Sequence, residues 1–138
     1  MIFTTYFAKM RHLPKNVIPV AISATVPSWY TGLRYTKLAP DYDILMQWKI
    51  DHNDDDYTRS FNATVLDNLD IHRVLDELQV LLPDEIKIQM QSPFWRNEDW
   101  HVALICFEKS SDFCHRHLVS DWLNRNGYEC EELFYINM

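Results

Sequence analysis

Apolar and polar positions alternate along this chain with two different periods, and each period marks a class of element. Ile2 to Phe7 is β-branched and aromatic, which suits a strand, and the segment Arg11 to Pro14 ends it with a turn. Val17 to Ile22 is a second apolar strand, in which Pro19 cannot donate to a ladder and so faces no partner or precedes the paired residues. Val102 to Cys106, continued by Phe107, is the longest apolar run and reads as a buried strand extending from Trp100. Tyr128 to Ile136 supplies a last strand, after Gly127 at a natural helix-end position. Residues 85–91 alternate polar with apolar and predict a half-exposed strand, at an edge or as an excursion from the main sheet.

Helical spacing governs the remainder. Asp41 is placed to cap a helix carrying Ile44, Leu45 and Trp48 on one face, and Asp54, Asp55 and Asp56 suit the positive N-terminus of the next, which carries Tyr57, Phe61, Val65 and Leu66. Asp70 caps a third helix with Ile71, Val74, Leu75, Leu78, Leu81 and Leu82 in register, and Pro83 stops it. A fourth begins near Asp112 and buries Leu118, Val119, Trp122 and Leu123. Ser23 to Pro40 has neither period and predicts a long loop leaving the carboxyl end of a strand, where open α/β sheets bind ligands. The order of elements predicts a single α/β domain over residues 1–138, a largely parallel sheet flanked by helices in a Rossmann-like three-layer arrangement.

Composition narrows the function. No apolar run approaches the roughly 18 residues of a membrane span, and the N-terminus has no signal-peptide pattern, so the expectation is a cytoplasmic protein without a membrane partner. Thirteen Lys and Arg against 20 Asp and Glu, with no basic stripe, disfavour duplex nucleic acid while leaving room for a small anion held by two or three arginines. Two glycines make neither a dinucleotide fingerprint nor a phosphate loop, and no cofactor is expected. Three cysteines do not build a disulfide framework, and reduced thiols are the default. The acidic run 51–56 lacks the Gly and the terminal Glu of a calcium loop and reads as solvated.

The connection from Phe107 to Arg116 concentrates the chemistry. At 100° per residue, His115 falls in the middle of the last helix's buried face, Arg116 and Cys114 at its borders, and His117 on the far side. Asp112 as cap leaves first-turn amides, those of Phe113 and Cys114, able to meet an anion. Arg116, a guanidinium at a helix start, matches phosphate or carboxylate and is the leading ligand contact. Arg11 and Arg34 leave the same sheet end if their strands are parallel, so these arginines are expected to converge, with Tyr6, Tyr30 and Tyr35 available to stack on a base. Lys37 belongs to the same loop. Cys114, in a first helical turn beside Arg116, is a candidate nucleophile, whereas Cys106 ends a strand and reads as structural. His115 reads as a core imidazole bonded to backbone. The spacing Cys106-x7-Cys114-His115 permits a redox pair or soft metal ligands but lacks the close C-x-x-C pair of structural zinc, so no metal is expected.

Thr5-Tyr6-Phe7, the loop Pro27-x-Trp29-Tyr30-x-Gly32-Leu33-Arg34-Tyr35-x-x-Leu38-Ala39-Pro40, and Leu104-x-Cys106-Phe107-Glu108-Lys109-x-x-x-Phe113-Cys114-His115-Arg116-x-Leu118 together resemble the family called domain of unknown function 488. The likeness runs from the first strand to the last helix, with residues 84–100 outside it. It implies a small cytosolic bacterial, archaeal or phage α/β domain of unestablished activity, with the Cys-His-Arg turn and the Gly-Leu-Arg loop as its site. The combined expectation is a domain binding a phosphorylated small ligand, a nucleotide or nucleic-acid end, at that turn. The alternatives are an acidic phage or bacterial interaction protein without catalysis, or a thiol-dependent enzyme using Cys114.

Overall fold

Strand β4 (His101–Cys106) takes the centre of the sheet, as a run that is apolar on both faces requires. The computed structural model describes residues 1–108 and 112–133. Among them β1 (Ile2–Tyr6), β2 (Val17–Ala21), β3 (Leu33–Arg34), β4 and β5 (Cys130–Glu132) form one sheet in the order β3-β2-β4-β1-β5 with every pair parallel. The single α/β domain with helices flanking a parallel sheet is therefore as the patterning predicts. No helix of the described residues is long and apolar enough to cross a membrane.

Chain direction explains the layers. The connections β1 to β2 and β2 to β3 step one way along the sheet, while β3 to β4 and β4 to β5 step the other way, so crossovers of one hand send the two sets to opposite faces. On one face α2 (Asp54–Thr64), α3 (Ile71–Leu81) and α5 (His115–Arg125) bury Phe61, Leu75, Leu78 and Trp122 against Val20, Val102 and Leu104. On the other, a 3-10 helix at Phe7–His12 and the loop after β2 lay Phe7 and Tyr30 over Ala21, Ala103 and Ile105. The alternation of Val102 and Leu104 with Ala103 and Ile105 is the two-residue period of a strand dividing its side chains between two cores.

Local chemistry accounts for most boundaries. Asn53 accepts from the Asp56 amide to start α2, and Asp70 from the His72 amide to start α3. Asp41 stands at the N-cap of α1 (Tyr42–Asp51) without making that bond. Gly127, at φ 87°, follows α5 in the left-handed conformation that a helix end favours.

Two expectations are corrected. Residues 84–89 form a helix, α4 (Asp84–Gln89), in place of a strand. Pro83 opens it, Asp84 and Glu85 occupy its first turn and Lys87 its last, and the apolar positions Ile86 and Met90 stand one turn apart. The loop 23–40 contains β3 and a 3-10 turn at Thr36–Leu38. Pro19 lies inside β2 and faces no partner on its outer side, the second of the two expected arrangements, because β3 covers only Val20 and Ala21. The last strand is described as Cys130–Glu132, and its expected continuation through residues 134–136 lies outside the described residues.

Candidate functional site

The connection out of β2 runs toward β3 and that out of β4 toward β5, so the carboxyl ends of these neighbouring strands flank the topological switch point of the sheet. A cavity of about 300 Å³ opens there. Ser23, Ala24 and Thr25 continue from β2 along one side, and Cys106, Phe107 and Glu108 from β4 along the other. α1 supplies a wall through Leu45, Met46 and Trp48, with Lys49 beside them, and Phe113, Cys114 and His115 bring in the start of α5.

The wall is aromatic. Trp48 stacks on Phe113 with ring centres 5.9 Å apart, and Phe113 meets the edge of Tyr57 at 5.0 Å. The Trp48 indole is oriented by its N–H, which donates to Asp54 at 2.7 Å. Burial raises the pKa of the Tyr57 hydroxyl, which stays protonated at neutral pH.

The start of α5 folds back over the end of β4. Its N-cap is Cys114, two residues after the expected Asp112, because Cys114 retains extended backbone while His115 is the first helical residue. Cys106 and Cys114 meet sulfur to sulfur as a disulfide, with Cα atoms 7.6 Å apart. This corrects the expectation of separate reduced thiols. Only Cys130 is a free cysteine, buried on β5, and burial pushes its thiol up to about 11.

His115 is a buried imidazole, as the helical geometry predicts. Its Nε2 lies 2.8 Å from the Ile22 carbonyl, which can only accept, so Nε2 carries the proton and Nδ1 presents a lone pair toward Cys114 Sγ at 3.7 Å. Burial foremost, with Arg116 adding to it, lowers its pKa to about 4 against the opposing Ile22 bond. The ring is neutral at pH 7.

Arg116 is wholly buried. Its Nε and Nη2 donate to the two oxygens of Glu132 at 3.0 and 2.8 Å, and Nη1 donates to the Glu108 carbonyl at 2.6 Å and to Cys106 Sγ at 3.0 Å. Its guanidinium carbon also sits 5.8 Å from the Tyr6 ring centre, so Tyr6 packs on this cation. Four hydrogen bonds to protein groups tie the end of β4, the start of α5 and β5 together.

The other expected contacts are dispersed. Arg11 is exposed and donates to His12. Arg34 donates to the Ala24 carbonyl at 3.0 Å and lines, with Tyr35 and Lys37, a separate open groove against α3. Tyr35 is buried and donates to Glu77 at 3.3 Å. Tyr30 is buried beneath its own loop, its hydroxyl donating to the Leu33 carbonyl, and the turn needs Gly32 because a Cβ there would stand 2.7 Å from that hydroxyl. Of the residues whose side chains were expected to bind ligand or react, Cys114 alone lines the cavity, beside Cys106 and His115, which the sequence marks as structural.

The residues not anticipated are Trp48, Lys49 and Tyr57, while Phe113, expected to contribute its amide, contributes its ring. Trp48 and Tyr57 fall on apolar stripes and read as core. One sequence signal was available: α1 carries Tyr42, Ile44, Leu45, Met46, Trp48 and Ile50, apolar side chains spread around the helix beyond what a single buried stripe uses, and in the structure none of them is fully buried. Compared with known proteins, the chain matches no family model, no curated protein and no solved structure.

Proposed function

We propose that this chain binds a small phosphorylated ligand with a planar ring, of the nucleotide class, in the cavity over the carboxyl ends of β2 and β4. The observation that carries the reading is the aromatic wall of Trp48, Phe113 and Tyr57 meeting the start of α5 at the switch point of a parallel sheet. A ring lying along that wall would direct its phosphate toward the amides that open α5 and toward Lys49. Arg116 supports such a site from beneath, by holding the turn in place. The buried, fully engaged guanidinium also favours the second reading, an interaction protein in which the Cys-His-Arg turn is structural; the open cavity above the turn favours the ligand.

The test is calorimetric titration of the protein with nucleoside monophosphates and diphosphates, the matching nucleosides and inorganic phosphate, beside the variants Trp48→Ala and Lys49→Ala. Lys49 is exposed, so its removal leaves the fold intact. Loss of a charge-assisted contact weakens the phosphorylated ligands about tenfold and leaves nucleosides unaffected. Absence of binding across the series, or unchanged affinity in both variants, overturns the reading.

A further inference from the structure

The floor of the cavity holds a cluster of different chemistry from its walls. The ligand atoms of Cys106, Cys114 and His115 lie within 4.8 Å of one another, and all three residues are buried. We infer that these residues form a binding site for a zinc-class divalent cation, two thiolates and one imidazole nitrogen, with the remaining coordination position facing the cavity.

Backbone spacing is the first argument. Disulfides join Cα atoms usually about 4.4–6.8 Å apart, and β4 and α5 hold these two at 7.6 Å. A tetrahedral ion places two thiolate sulfurs about 3.8 Å apart at its usual bond lengths, which a wider backbone accommodates. The same geometry sets a sulfur and an imidazole nitrogen about 3.6 Å apart, and Cys114 Sγ stands 3.7 Å from His115 Nδ1.

Orientation is the second. A ligating histidine ordinarily donates its other ring N–H to a carbonyl or carboxylate, which fixes the tautomer and aims the lone pair at the ion. His115 does this with the Ile22 carbonyl at 2.8 Å. Cys106 Sγ likewise accepts from Arg116 Nη1 at 3.0 Å, the kind of N–H to sulfur bond that stabilises a bound thiolate.

Charge is the third. Two thiolates cancel a divalent cation, and Arg116 is already paired with Glu132, so the buried assembly is neutral. Loading takes place on the dithiol, which a thiol-class reductant forms by giving two electrons and two protons to the Cys106–Cys114 bond; each Sγ–H then gives up its proton to solvent, two protons leave per ion, and metal binding itself moves no electrons. Three protein ligands with one open position is the arrangement of metal centres that bind and polarise substrate, in contrast to closed structural zinc. The site stands whether or not the cavity accepts a nucleotide.

The experiment titrates the full, reduced chain with Co²⁺ and then Zn²⁺, with X-ray absorption on the zinc-loaded protein. One Co²⁺ per chain, a thiolate-to-cobalt charge-transfer band and tetrahedral d–d bands are expected, all displaced by Zn²⁺ and retained in Cys130→Ser. Cys114→Ser and His115→Gln should weaken the metal more than about a hundredfold. Two sulfur scatterers on zinc in the unaltered chain support the site even if a variant fails to fold. A zinc shell of nitrogen and oxygen alone, absence of charge transfer, or a Cys106–Cys114 disulfide that persists under reductant and excludes metal overturns it.

Discussion

Replacing Glu132 with Gln isolates the ion pair beneath the candidate site. The change keeps the side chain's shape but removes the counter-charge of a guanidinium that has no exposure to water, while Glu132 itself is 9% exposed. One carboxylate oxygen accepting from Arg116 becomes an amide that cannot accept, and the Thr4 hydroxyl, which donates to the same carboxylate at 2.6 Å, must share what is left. Breaking a buried pair from one side costs about 3–5 kcal/mol, because the surviving charge stays desolvated. Total stabilities run from about 5 to 15 kcal/mol, so the variant should lose at least about a fifth of its stability. In urea, at a slope of about 2 kcal/mol per molar, the midpoint followed by far-ultraviolet circular dichroism should fall by about 2 M with an unchanged slope. The double variant Arg116→Met with Glu132→Gln removes both charges and should recover at least half of the loss. A single variant within about 1 kcal/mol of the parent, or a double variant as unstable as the two singles added, would refute the argument.

Stability should also follow the protonation of His115. Its folded pKa, near 4, lies below the unfolded value of 6.5, so the unfolded chain binds more protons between them. This contribution is complete near neutrality and is lost as pH falls from about 6.5 toward 4, about 3 kcal/mol in all for the metal-free chain; His115→Gln should flatten that part of a pH series of unfolding midpoints, and an unaltered slope contradicts it. Cys130, its thiol raised to about 11 by burial, should stay unlabelled by iodoacetamide at pH 7.5 until urea unfolds the chain, and rapid native labelling contradicts its placement. Gly32→Ala should cost about 1–3 kcal/mol by driving the Tyr30 hydroxyl off the Leu33 carbonyl, read as a lowered thermal midpoint; an unchanged midpoint contradicts the close approach.

The elements with a long, unambiguous period were legible in the sequence. β4 is a continuous apolar run because it is covered on both faces, and α3 carries its cap at Asp70 and its stripe through Leu78. The wheel of α5 placed His115 inward and His117 on the more exposed side. Residues 84–89 were misread because six residues satisfy both periods at once, and the deciding information lay in the Pro83-Asp84-Glu85 start. β3 has two residues and no pattern of its own. The meeting of Cys106 with Cys114 depends on α5 folding back over β4, and the partner of Arg116 is Glu132, a residue of the next strand that reads as an ordinary polar position. The cavity wall depends on α1 packing against that same turn, a contact between distant segments that no local spacing records.

The strand order also governs how the chain can assemble. β4 lies between β1 and β2, so the first two strands made are not neighbours, and the piece that joins them arrives only at residues 101–106. Until then β1 and β2 have no partner in the centre of the sheet, and four helices have already been synthesised with no complete surface to dock on. Such non-local pairing slows folding and leaves apolar strands uncovered while the ribosome works. A fragment ending before His101 would therefore remain unfolded and prone to aggregate, and the native state belongs to the chain only once its last third is in place.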